Sequence, residues 1–129
     1  MDVGLIIRYG AIVPGRETQA IELFDETTKY YEEKVAQKVL TYFEPFFFMT
    51  SDYQEETGFF ILKGHAPEVF KLMEEEKYRW LLQKAGLLVE HLRVDYLTVG
   101  EGITEQLERF AKVRVDLGIS HPGPALWDA

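Results

Sequence analysis

The sequence predicts an α+β fold of order βαββαβ: one four-stranded antiparallel sheet with helices on one face, followed by an extra C-terminal helix. Three observations predict it. Four stretches rich in β-branched, aliphatic and aromatic residues alternate with segments of helical periodicity. The second and third of these stretches are separated only by a polar loop, the signature of a hairpin. The strands also carry large apolar side chains at both parities, so both faces of the sheet need cover.

Residues 3–9 read as the first strand, aliphatic and free of helix punctuation. Pro14-Gly15 turns the chain into a long helix over residues 16–35. Its expected buried stripe is Ile21, Phe24, Thr28, Tyr31 and Val35, at alternating spacings of three and four. Glu22, Asp25, Glu26, Lys29, Glu32 and Glu33 form the solvated face, where Asp25 and Lys29 sit one turn apart.

Residues 39–49 form an aromatic strand containing Tyr42, Phe43, Phe46, Phe47 and Phe48. Pro45 cannot donate to a ladder, which calls for an edge strand or a bulge. The polar stretch 50–57 is the hairpin loop, and residues 58–63 return as the third strand. Pro67 suits the first turn of a short helix with Val69, Phe70 and Met73 facing inward. Glu74-Glu75-Glu76 marks a break before a second short helix carrying Tyr78, Leu81, Leu82 and Ala85, with Glu75 and Arg79 spaced for a surface ion pair. Residues 92–99 are the fourth strand, and Ile103, Leu107, Phe110 and Leu117 stripe a last amphipathic helix. A single domain over residues 1–119 is expected, with an irregular tail over 120–129 in which Trp127 is the one large aromatic.

Composition bounds the function. With 47% hydrophobic and 28% charged residues, the 129-residue chain is of globular type, large enough to bury a core without staples. The absence of cysteine excludes disulfides, thiolate metal sites and cysteine nucleophiles, and fits a reducing, cytoplasmic location. No basic start with a long apolar stretch is present, nor an apolar run of the roughly 18 residues that span a bilayer, so no membrane is expected. A net charge of −8 disfavours nucleic acid as a partner.

Strand parity sorts the side chains. Leu5, Ile7, Phe43, Phe47, Phe60, Leu62, Val94 and Tyr96 belong beneath the helices. Ile6, Arg8, Tyr42, Glu44, Phe46, Phe48, Phe59, Ile61, Lys63, Asp95 and Leu97 share the other face, unless a bulge at Pro45 exchanges the sides of Phe46 to Met49. That much aromatic area left open invites aggregation. A second copy packed face to face removes it, so a homodimer is the expected assembly.

This face also holds the candidate chemistry. Arg8 and Lys63 are suited to anchor an anionic or carbonyl oxygen, Glu44 to act as a base, and Tyr42 as a proton donor, with Asp95 beside them. The commoner role of such charges is a set of interface salt bridges. Phe46 and Phe59 are candidates for a pocket wall, and His65, at a strand-to-helix junction, for its mouth. His91 and His121 have no partner at metal-ligand spacing, and no metal motif, phosphate loop or nucleophile elbow occurs. Neither a metal nor a cofactor is expected.

Pro14-Gly15-Arg16-Glu17, Ala20 and Phe24, Tyr42-Phe43-Glu44-Pro45, Gly58-Phe59-Phe60-Ile61-Leu62-Lys63-Gly64 and Val99-Gly100-Glu101-Gly102 together resemble dimeric α+β barrel proteins of ferredoxin-like fold, and among them an uncharacterised bacterial branch. The resemblance spans residues 3–117. It implies a sheet-to-sheet dimeric barrel in a superfamily that includes cofactor-free monooxygenases, muconolactone isomerase-like enzymes, haem enzymes and proteins with no known reaction. The function expected is binding of a small hydrophobic or aromatic molecule in the barrel cavity, or a purely structural role. The alternative is a cofactor-independent monooxygenase or isomerase acting on an aromatic or carbonyl compound.

Overall fold

In the computed structural model, which describes residues 1–49 and 55–119, the elements follow the expected order. They are β1 (Asp2–Tyr9), α1 (Glu17–Ala36), β2 (Tyr42–Phe47), β3 (Gly58–His65), α2 (Ala66–Glu74), α3 (Glu76–Leu88), β4 (Arg93–Thr98) and α4 (Glu101–Asp116). The strands form one antiparallel sheet in the order β2-β3-β1-β4. Most of the hairpin loop and the whole tail, with Trp127, lie outside the described residues.

Pro45 takes the first of its two predicted solutions. β2 is an edge strand, and its pairing with β3 runs without a bulge from Tyr42 opposite Lys63 to Phe47 opposite Gly58. Parity therefore holds along the whole strand. Leu5, Ile7, Phe60 and Leu62 are buried beneath the helices, with Phe43 and Val94 packed against them. Phe47 and Tyr96 lie at the margins of this face, yet each is partnered by a helix aromatic: Phe24 at 5.3 Å and Phe70 at 5.4 Å.

The helices differ from expectation in rotation. The buried residues of α1 are Ala20, Leu23, Thr27, Tyr30 and Tyr31, while Ile21 is 64% exposed. Phe24 and Val35 remain only partly buried. The helix rests on α3 as well as on the sheet, so its covered sector turns toward α3 and is wider than a single stripe. In α2, Val69 and Leu72 are buried, whereas Phe70 turns outward onto Tyr96.

The break between α2 and α3 falls at Glu75, which adopts an extended conformation. Its carboxylate does not pair with Arg79 as expected. It accepts from Lys34 Nζ at 2.8 Å and from the Tyr30 hydroxyl at 3.3 Å, tying the break to α1. Asp25 and Lys29 do pair, at 2.9 Å. After α1, Lys38 enters the left-handed region (φ 62°), and the amides of Val39 and Leu40 both return to the Lys34 carbonyl.

Candidate functional site

The register arranges the open face of the sheet in rows across β2, β3, β1 and β4. One row reads Phe46, Phe59, Arg8, Arg93; the next Glu44, Ile61, Ile6, Asp95; the third Tyr42, Lys63, Gly4, Leu97. The predicted site residues thus share a face but divide into two groups. At the β1–β4 side, Arg8 lies 3.8 Å from Asp95 and 3.5 Å from Glu56, and Asp95 also accepts from Arg93 Nε at 2.9 Å. At the β2–β3 side, Lys63 sits 4.5 Å over the Tyr42 ring, whose hydroxyl donates to Glu44. Glu44 and Asp95 occupy the two outer strands of one row, three strand spacings or roughly 14 Å apart.

Phe46 and Phe59 stack at 4.9 Å within the first row, and Phe48 joins Phe59 at 5.6 Å. The hydrogen bond to Glu44 raises the pKa of Tyr42, making it a weaker proton donor than a free phenol. His65 is not with these groups. It closes β3 opposite Asp2, to which its Nδ1 is bonded at 2.8 Å. His91 is in the turn before β4 with φ 56°, in a polar cleft shared with Arg8 and Arg93. Among the described residues, no three histidine, aspartate or glutamate side chains are grouped to hold a metal ion.

A second site, which the sequence reading missed, lies on the helix side. A cavity of about 220 Å³ opens between the sheet, α1 and α3. Ile7, Tyr9 and Phe60 form its floor, Ala20, Phe24 and Thr27 one wall, and Leu81, Leu82 and Ala85 the other. Its end is closed by Ile12 and Val89, which form an isolated antiparallel bridge reinforced by the Gly10–Glu90 and Val13–Leu88 backbone bonds. Exposed Ile21 and Phe47 stand at its margin. Among the described residues, none that line it is charged.

The floor is shaped by one glycine. A Cβ at Gly58 would stand 2.4 Å from the Phe46 carbonyl oxygen and 2.6 Å from the Tyr9 hydroxyl. Only a glycine lets Tyr9 lie in that position. The Tyr9 hydroxyl is itself buried and has no hydrogen-bond partner among the described residues, and desolvation pushes its pKa up to about 12. The clues in the sequence were the small residues Ala20 and Ala85, one on each of the two helices that line the cavity. Small side chains in a helix do not announce a void, because their neighbours ordinarily close over them.

No family model matches the chain, and no curated protein does. Several solved structures do, two of them as follows. A dimeric protein of unknown function and ferredoxin-like fold from Bacteroides fragilis superposes with a TM-score of 0.54 at 12% identity, covering 74% of this chain and 93% of that one. An ethyl tert-butyl ether D (EthD) family protein from Bacillus halodurans gives 0.51 at 16% identity, over 74% and 97%. The likeness is one of fold. It bears out the ferredoxin-like α+β architecture, and it leaves about a quarter of this chain beyond the shared part. Among the described residues, no helix is long and apolar enough to cross a membrane.

Proposed function

We propose that the chain acts as a homodimer that holds a small, uncharged, mainly apolar molecule in the cavity between the sheet, α1 and α3. The observation that carries this reading is a cavity of about 220 Å³ whose described walls hold no charged side chain. An apolar cavity of about 150 Å³ stays dry and accepts benzene. One aromatic ring with a short substituent is therefore the matching size class. This places the ligand on the helix side rather than inside a barrel between two sheets.

The dimer forms through the open face, where Phe46, Phe48, Phe59, Ile61 and Leu97 supply apolar area. Arg8 with Asp95, and Lys63 with Glu44, act as charges that fix the relative orientation of the copies. The dimeric ferredoxin-like neighbour supports this assembly. Among the described residues, chemistry of cofactor-free monooxygenase or isomerase type has no carboxylate or imidazole in the cavity walls to serve it. It would have to come from the open face, where Tyr42 donates to Glu44.

Titration of toluene into the ¹⁵N-labelled protein tests the site. The amides expected to shift are those of Ala20, Thr27, Leu81 and Ala85, and Ala85→Phe, which fills the cavity, should abolish the response. Shifts confined to Phe59, Ile61 and Lys63 would move the ligand to the open face and overturn the assignment.

A further inference from the structure

The cavity floor holds a polar group that its packing leaves unused. Tyr9 ends β1 opposite Gly58, and its side chain lies on the helix side of the sheet with those of Leu5 and Ile7. Its ring is held by aromatic neighbours, 5.6 Å from Phe60 and edge-on at 6.4 Å from Phe47. The hydroxyl stands over Gly58, 2.6 Å from the point a Cβ would take, and Phe47 Cδ1 lies 3.0 Å from that same point. Phe47, paired with Gly58, and Thr57, which precedes it, line the cavity as Tyr9 does. The hydroxyl therefore belongs to the cavity wall.

A phenol both donates and accepts, and a buried one ordinarily finds a partner. Four residues with hydroxyls line the cavity: Tyr9, Thr27, Tyr31 and Thr57. Of these, Tyr9 is the one whose oxygen is sealed from water without a partner among the described residues. A phenylalanine would keep the same ring contacts without that cost, so the oxygen contributes nothing to the packing. With its pKa pushed up to about 12, the phenol stays protonated through neutral pH and is a standing donor. A ligand that uses it is neutral, because the described walls supply no charge to meet an ion.

We infer that Tyr9 is the specificity-determining residue of the cavity: its hydroxyl donates to a carbonyl-type oxygen, so the bound class is a small aromatic ketone, aldehyde or ester and not a plain hydrocarbon. The inference rests on the cavity reading above and narrows it. To reach the oxygen the ligand turns aside Phe47, which is 60% exposed on the edge strand β2 and held by one ladder alone. Binding then supplies the hydrogen bond that the ligand-free fold leaves unmade. A mainly apolar pocket with one placed polar group is the ordinary form of a small-molecule site.

Acetophenone and ethylbenzene share a ring and a two-carbon substituent and differ in the carbonyl, so the pair isolates the donor. Each is titrated into the ¹⁵N-labelled full chain, wild type and Tyr9→Phe. The substitution should weaken acetophenone roughly tenfold, through a buried carbonyl left unpaired, and leave ethylbenzene within about twofold. Acetophenone labelled with ¹³C at the carbonyl should show a downfield shift when bound to the wild type and lose it in Tyr9→Phe, a signature that a merely structural change would not erase. Equal effects on both ligands, or none on either, overturn the donor role and leave the cavity standing. Loss of acetophenone affinity in Thr27→Val or Thr57→Val, with Tyr9→Phe unaffected, overturns Tyr9 as the donor. Binding of neither compound to the wild type overturns the cavity reading and this inference with it.

Discussion

Replacing Tyr9 by phenylalanine is expected to stabilise the protein. The ring packs 5.6 Å from Phe60 and edge-on at 6.4 Å from Phe47, and the substitution leaves both contacts in place. What it removes is a hydroxyl that is buried without a partner among the described residues. In the unfolded chain that hydroxyl is hydrated, so folding costs about 1–3 kcal/mol for leaving it unsatisfied. Its removal opens a gap of roughly 15 Å³, worth ~0.4 kcal/mol at the usual cavity coefficient. The net gain is about 0.6–2.6 kcal/mol. The upward shift of its pKa to about 12 has the same origin, since an oxygen cut off from water and donors cannot easily carry charge. Urea unfolding measures the effect directly: with m of about 2 kcal/mol/M, the midpoint should rise by roughly 0.3–1.3 M with m unchanged. An unchanged or lower midpoint would show that the hydroxyl is satisfied in solution and would refute the reasoning.

Gly58→Ala should destabilise by about 3 kcal/mol or more, because the added methyl meets a backbone carbonyl in the adjoining strand and not a yielding side-chain tip. A thermal scan should show the midpoint falling by roughly 10 °C, and Tyr9→Phe in the same chain should recover only part of the loss, since the Phe46 carbonyl clash remains. Stability should also fall steeply above about pH 10. Burial raises the pKa of Tyr9, Tyr31 and Tyr78, so their protonated forms stabilise the fold below the unfolded value, and that contribution is lost as pH rises through the folded values. Each such phenol adds a slope of up to about 1.4 kcal/mol per pH unit. Urea titrations at pH 8, 10 and 11 check it, and a flat profile would contradict the burial of these rings.

Local pattern determined much of this protein. The period-two alternation of Leu5 and Ile7 against Ile6 and Arg8, and of Phe60 and Leu62 against Phe59, Ile61 and Lys63, set the two faces of the sheet before any contact was known. Pro45 marked the edge strand, because a residue without an amide proton cannot sit between two ladders. Glu74-Glu75-Glu76 located the break between α2 and α3. These signals are legible because each depends on backbone geometry within a few residues.

Tertiary structure decided how the helices roll and what lies between them. Periodicity places Ile21, Phe24, Thr28, Tyr31 and Val35 on one stripe, but whether that stripe or its neighbour meets the sheet depends on α3, a partner some fifty residues away along the chain. The same contact chooses Lys34 rather than Arg79 for Glu75. The division of the open-face charges into an Arg8–Asp95 group and a Lys63–Glu44 group follows from strand order, which parity alone does not give. The cavity is the furthest from sequence of all. It is lined by Ala20 and Thr27 of α1 and Ala85 of α3, with Tyr9, for which Gly58 leaves room, at its floor. A void is a property of several side chains that fail to meet, and no single stretch of sequence encodes that.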